Sequence, residues 1–447
     1  MTTAAAKDGR LWIHYLQAYL FNTHTLLLEE APKALFDVIH RQGKILESDN
    51  WFPVQIDDLK LYIQSAIVND KKSPTDAHNV IITAWDGINT TAFYCCFTST
   101  SGQPLSVTAT LLHRFRHGEI VASQFSCEVS KTISLKSTVR FALSSCYNSS
   151  TDRSLPIEYP EQAPGKMAVC IKCVYGRPDP QRMVEWFELQ KMHGVSRVLG
   201  FQLAVHADSR RVLDYYQEQG FLTMLPFAIP GNVTRNGRSR RGFEYKDRID
   251  EWQFRSDEQV AVFECQERLS GFSYVGVYDM DEVIVPERYN DMHNDTAFLV
   301  GFLKYLEKLY PSAGAFQFRI ENFVFDWGKS NNESSLSMMQ YVKRSKRMGD
   351  PKVVHKPERL RWARTHSVKL KKGYFTKRLP RYMANVHHYR TCRANWEKGV
   401  CFSLARFEDR QLLRWEKQLE INIRKVPSRV WEPSTSKPNR SLRKYMR

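Results

Sequence analysis

The sequence predicts an α/β fold preceded by a small, mostly β domain. Three observations carry this prediction. Short strand-like runs rich in Val, Thr and aromatic residues extend to about residue 160, strand and helix periodicities alternate from residue 166 onward, and a Ser-, Thr- and Pro-rich stretch separates the two patterns. The expected division is 1–160 for the β domain and its linker, 166–425 for the α/β domain, and 426–447 for a basic tail.

In the first part, Asn79 to Thr83, Ala92 to Thr98, Leu105 to Leu112 and Thr138 to Leu143 read as strands, and a small sandwich is the economical way to pack them. Tyr147 to Pro164 reads as the linker. Met167 to Val174 is then a continuous apolar run, as expected of a buried parallel strand. Met183, Trp186 and Phe187 recur at helical spacing, with Gly194 placed to end the helix, and Val198 to Val205 reads as the next strand. Ser209 is expected to cap a helix carrying Val212, Leu213 and Tyr216 that stops at Gly220 before a strand at Phe221 to Leu225.

This βαβαβ order is that of a half-sheet that binds mononucleotides at the carboxyl ends of its strands. No Gly-x-Gly-x-x-Gly follows the first strand, which disfavours a dinucleotide-binding dehydrogenase. Pro230 to Asp257, with Arg235, Arg238, Arg240, Arg241, Lys246 and Arg248, reads as a long basic loop. A helix over Gln259 to Leu269 and a strand over Tyr274 to Tyr278 follow.

Nine cysteines fit an oxidising compartment with a few bridges and at least one free thiol. Cys170 and Cys173 form a Cys-x-x-Cys, but no matching second pair completes a zinc site. Six Asn-x-Ser/Thr sequons, at Asn89, Asn148, Asn232, Asn294, Asn332 and Asn439, are compatible with a lumenal glycoprotein. Leu11 to Leu28 is interrupted by His14, Gln17, Asn22 and His24 and does not read as a membrane span. The net charge of +17 suits polyanionic or phosphate-bearing ligands. Nucleic acid is not expected as the partner, because no helix-turn-helix, RRM or zinc-finger signature is present.

The single Asp-x-Asp of the chain, Asp279-Met280-Asp281, is followed by Glu282 and preceded by the apolar run Tyr274 to Tyr278. Its carboxylates are therefore expected at the carboxyl end of a central strand, where a hard divalent cation and a diphosphate both find oxygen ligands.

At this point the chain resembles glycosyltransferase family 92, also called the DUF23 family, over roughly Lys166 to Phe402. The resemblance rests on ordered segments: Ala168 to Val174, Glu185-Trp186 with His193-Gly194, Val212 to Gly220, Leu225-Pro226 and Ile229-Pro230, then Gln259 with Cys265 and Arg268, Tyr278 to Glu282, Pro357, His366, and Val386-His387-His388-Tyr389-Arg390. It implies a GT-A fold with a mixed central sheet, and inverting transfer of a hexose, typically galactose from UDP-galactose, onto a glycan or glycoprotein acceptor such as a fucosylated N-glycan. It also implies a Golgi location with a membrane anchor that this sequence does not display.

By the same resemblance, Asp281 is expected to bind the metal, taken as Mn, with Asp279 contacting the metal or the ribose and His388 completing the shell ahead of His366. Glu321 and Asp326 are the candidates for the base that deprotonates the acceptor. Lys352, Lys356, Arg359 and Arg390 are candidates for stabilising the departing diphosphate, with Lys352 and Arg390 preferred. Trp327, Trp362 and Tyr389 are aromatic faces for an acceptor sugar. The competing reading is a catalytically silent protein that binds a glycan or nucleotide sugar, which the intact Asp279 and Asp281 argue against.

Overall fold

A computed structural model describes residues 53–432, apart from 57–59, 73–75, 116–119, 134, 144–145, 147–153, 231–250, 288–297, 393–399 and 405. The apolar segment at Leu11 to Leu28, most of the basic loop after Pro230 and the end of the basic tail lie outside the described residues.

The N-terminal strands are β1 (Val54–Gln55), β2 (Leu61–Val68), β3 (Ala77–Asp86), β4 (Ala92–Ser99), β5 (Pro104–Phe115), β6 (Val121–Ser130), β7 (Leu135–Ala142) and β8 (Leu155–Glu158). They form one sheet in the order β1-β2-β3-β6-β5-β4-β7-β8, and β8 also pairs with β2. The sheet therefore closes on itself into a barrel, which corrects the expected sandwich. Closure removes the edges that an open sheet would leave unpaired. Its interior is filled by Ile63, Val80, Ile82, Phe93, Phe97, Phe125 and Phe141, among others. Two disulfides, Cys95–Cys127 and Cys96–Cys146, staple it. The closing strand falls within the segment that composition assigned to the linker. Ala66 and Ile67 pair with Ile157 and Glu158, so that segment is structural.

The second unit contains β9 (Gln162–Gly176), α1 (Pro180–Met192), β10 (Val195–Val205), α2 (Ala207–Glu218), β11 (Leu222–Pro226), α3 (Glu251–Arg268), β12 (Gly271–Val277) and β13 (Glu282–Pro286). It continues with α4 (Phe298–Leu309), β14 (Ala313–Val324), β15 (Lys343–His355), β16 (Leu360–Ala363), β17 (Val368–Leu370), β18 (Phe375–Arg378), β19 (Ala384–Arg390), α5 (Val400–Ser403), β20 (Arg406–Glu408) and α6 (Glu416–Ile423). The main sheet runs β11-β10-β9-β12-β15-β14-β19-β13, with β18 on β14 and β20 on β15. β9 to β12 pair in parallel, whereas β15 and β13 run antiparallel to their neighbours, so the sheet is mixed.

The expected βαβαβ unit is present, and Gly194 and Gly220 follow its two helices at φ 81° and 64°, conformations that favour glycine. Ser209 is not the cap of α2. His206 holds that position and accepts the Asp208 N–H, while the Ser209 hydroxyl donates to Pro178 O at 2.6 Å. Residues 426–432, the start of the expected basic tail, are packed: Val426 and Val430 are buried, and Arg211 donates to Glu432 O at 3.0 Å.

One face of the sheet is covered by α1, α2, α4 and α6 around Trp186, Phe187, Tyr216 and Leu303. The other is covered by α3, which begins eight residues before the predicted helix and is clasped between sheet and barrel. Val260, Val262 and Phe263 of α3 share an apolar cluster with Trp85 and Ala122 of the barrel and with Val275 and Val277 of β12. Ser256, Asp257 and Glu267 of α3 are buried as well, and they are satisfied across the junction. Trp85 Nε1 donates to Asp257 at 3.0 Å, Ala122 N to Ser256 at 2.7 Å, and Asn69 Nδ2 to Glu267 at 2.6 Å. Cys170 of β9 is bonded to Cys265 of α3, so the Cys-x-x-Cys is split between a bridge and the free Cys173. The fourth bridge joins Cys392 to Cys401.

Candidate metal and donor site

Beyond Val277 the chain leaves β12 through a turn at Asp279-Met280-Asp281-Glu282, closed by Glu282 N–H donating to Asp279 O at 3.0 Å. The chain then enters β13, which pairs antiparallel with β19 so that Glu282 stands opposite His388. Directly opposed residues project to the same face of a ladder. Accordingly, Glu282 Oε1 lies 3.6 Å from His388 Nδ1, and Asp281 Oδ2 lies 3.3 Å from His388 Nε2. Tyr389 N–H donates to Asp281 O at 2.8 Å and fixes the turn against β19.

Asp281, Glu282 and His388 thus offer three ligand atoms within 4.8 Å of one another. Asp281 Oδ1 and His388 Nδ1 are buried without a hydrogen-bond partner. Orphaned polar atoms of this kind are costly unless something completes them. Two carboxylates and an imidazole are a donor set that suits a Mn-like divalent ion, so the residues present fit the group.

Asp279 is engaged differently. Its Oδ1 is 3.2 Å from Lys172 Nζ and its Oδ2 is 3.1 Å from Lys352 Nζ, so a lysine occupies each carboxylate oxygen. Burial would raise its pKa, but Lys172 and then Lys352 outweigh it and hold the carboxyl well below the usual range. Lys352 also meets Glu282 at 2.9 Å. Burial raises the Glu282 carboxyl, with Lys352 opposing, and Lys352 itself is raised because Asp279 and Glu282 outweigh its own desolvation. Lys172 reaches Glu258 of α3 at 3.3 Å, so helix, strand and turn meet in one charged cluster.

The other residues singled out from sequence are placed as follows. His366 lies outside the three-ligand group. Its Nδ1 is 3.0 Å from Pro351 O, and burial, then Lys352 and Lys172, lower its pKa to about 4. Glu321 is paired with Arg344 at 2.8 Å and Arg381 at 2.7 Å. It stands beside His387 in the ladder, whereas Asn322 stands beside His388, so alternation turns Glu321 away from the His388 face. Asp326 is exposed just past β14 and accepts Cys392 N–H at 2.8 Å.

Lys356 pairs with Glu307 and Glu358, and Arg359 donates to Pro311 O and Ala313 O, so both brace the β14 entrance. Arg390, at the end of β19, donates to Thr391 O at 3.3 Å. Tyr389 is buried and stacked on Phe323, Trp327 donates to Cys401 O, and Trp362 packs near His113 and under Arg364.

Sequence reasoning missed Glu282 as a member of the three-residue group and Lys172 altogether. Glu282 adjoins the motif and needed only its cross-strand partner to be known. Lys172 had a signal: a single charge inside the buried run Ala168 to Val174.

A family profile described as glycosyltransferase family 92 matches residues 165–427. No curated protein matches the chain. Among solved structures, the crystal structure of S. aureus TarS 1-349 is similar at 10% identity and a TM-score of 0.26, covering 51% of this chain and 60% of that one. A likeness of that degree carries no weight for the fold or the site.

Proposed function

From the premise that this chain belongs to glycosyltransferase family 92, we propose that it is a metal-dependent hexosyltransferase that moves galactose from UDP-galactose to a glycan acceptor with inversion. The observation that carries the reading is the cluster of Asp281, Glu282 and His388, with its two orphaned polar atoms, at the carboxyl end of β12. The strand order β11-β10-β9-β12-β15-β14-β19 supports a GT-A arrangement. It places the ends of β9, β12, β14 and β19 on one rim, because these four strands run in the same direction.

Asp281, Glu282 and His388 would hold the ion, and Asp279, whose oxygens are taken by lysines, faces the donor instead. A bound divalent ion supplies Lewis-acid neutralisation of charge on the departing diphosphate. Lys352 helps to hold Asp279 ionised and orients both Asp279 and Glu282. Asp326 is the proposed acceptor base, since it is exposed at the rim past β14, whereas the Glu321 carboxylate is committed to Arg344 and Arg381. Four disulfides and the exposed sequon residues Asn89 and Asn332 support a lumenal, Golgi setting. Among the described residues no helix is long and apolar enough to cross a membrane.

The test is release of UDP from UDP-galactose by the purified chain with Mn, with and without a chelator, using a fucosylated N-glycan as acceptor. Release that needs both metal and acceptor and is lost in Asp281→Ala supports the proposal. Absence of release with any common sugar nucleotide sinks it and favours a silent binding protein.

A further inference from the structure

Lys172 adopts φ 53° in the middle of β9. There β9 advances from Cys170 to Cys173 while β10 advances only from Leu199 to Phe201, so the strand carries one extra residue. A bulge with a left-handed residue is a place for glycine or asparagine, and a lysine there is strained. Strain of this kind persists where the surroundings over-determine it, and it often marks functional sites. Here the bulge turns a buried ammonium, 5% exposed, out of the strand to lie 3.2 Å from Asp279 Oδ1 and 3.3 Å from Glu258 Oε1. The disulfide Cys170–Cys265 anchors the same stretch of β9 to α3. The helix residue next to Glu258 is Asp257, which accepts the Trp85 indole N–H of the barrel.

We infer that Lys172 is a positioning residue of the donor site: from its left-handed bulge it shares Asp279 with Lys352, keeping that carboxylate out of the metal set and turned to the donor. This rests on the glycosyltransferase reading above. The charge arrangement gives the inference a signature. Three carboxylates, Glu258, Asp279 and Glu282, pair with the two ammonium groups, and Asp281 adjoins Glu282. Neutralising Lys172 makes the cluster more negative, which strengthens attraction for a divalent cation and weakens it for a diphosphate. It also frees one oxygen of Asp279 to join the metal. A side chain that merely packed would not move the two affinities in opposite directions.

The experiment compares the full chain with Lys172→Asn and Lys172→Gly, both compatible with left-handed backbone. Free Mn is counted by electron paramagnetic resonance, and UDP binding is followed by calorimetry at saturating Mn. Both variants are expected to bind Mn roughly fivefold more tightly and UDP roughly tenfold more weakly, the size of one neighbouring charge at intermediate dielectric. Glu258→Gln should shift both affinities the opposite way, and it tests the inference even if the Lys172 variants do not fold. Shifts of both affinities in the same direction, or no shift in either, would overturn the inference while leaving the metal site intact. Failure of the unaltered chain to bind Mn would overturn the metal-site reading and this inference together.

Discussion

Glu282 and His388 occupy directly opposed positions on β13 and β19, and the 3.6 Å between Oε1 and Nδ1 is set by that pairing, with no hydrogen bond to His388 Nδ1. The backbone ladder alone thus brings the carboxylate and the imidazole together. Removing one ligand should therefore weaken the metal site without unfolding the sheet. His388→Ala and Asp281→Ala are expected to lower Mn affinity by at least the roughly 10–100-fold that even the loss of an outer-shell partner costs. The melting temperature in metal-free buffer should stay within a few degrees. Unaltered Mn binding in His388→Ala would remove that residue from the site.

Lys352 has the opposite balance, because it is 2% exposed and stands between Asp279 and Glu282. Lys352→Ala leaves two carboxylates facing each other in a buried setting. Chemical denaturation should report a loss of about 3–5 kcal/mol, the range for breaking a buried ion pair. Saturating Mn should return part of it, since a cation bound at Glu282 relieves the same repulsion. A neutral effect would show that Lys352 contributes little as a counter-ion.

Glu185 provides a pH signature away from the cluster. It is fully buried on α1, and burial raises its pKa from the model-peptide value of 4.5 to about 7, against hydrogen bonds from the Met338 and Ser337 N–H groups. A carboxyl that binds its proton more tightly in the folded state contributes stability below the unfolded value and loses it as pH rises toward the folded one. Stability should thus fall by about 3 kcal/mol between pH 4.5 and 7 from this group. Melting curves of Glu185→Gln should lack that component. An identical pH slope in both proteins would assign it elsewhere.

The barrel should not be separable from the second unit. Residues 161–447 expressed alone would leave the Asp257, Glu264 and Glu267 carboxylates of α3 without Trp85, Ser65 and Asn69. That fragment is expected to be insoluble or to lack a cooperative transition. Within the full chain, Trp85→Phe keeps the ring and removes one donor. It should cost about 1–3 kcal/mol, the penalty for a buried group left unsatisfied. Independent folding of the fragment with an unchanged midpoint would contradict this.

How much was legible from sequence differs from residue to residue. The βαβαβ run could be read because its signals are local: apolar strands bounded by polar turns, and glycines placed where a helix must end. Asp279 and Asp281 were legible for the same reason, since the motif directly follows its strand. The sandwich reading failed because closure depends on one pairing, β2 with β8, between residues about ninety apart in sequence. Pro156 and the surrounding polar residues made the closing strand look like a linker. Polar composition resembles a loop even where a short strand completes a barrel.

The sequence by itself determined the alternation of strand and helix, the position of the acidic motif at a strand end, and the resemblance that led to the family. It did so because hydrophobic periodicity and turn chemistry act over a few residues. Only the tertiary structure decided that Glu282 joins Asp281 and His388, that Lys172 and Lys352 hold Asp279, and that Glu321 is held by Arg344 and Arg381. Those relationships depend on strand register and on which face alternation presents. A one-residue change of register reverses that face, so residue type and spacing along the chain could not establish them.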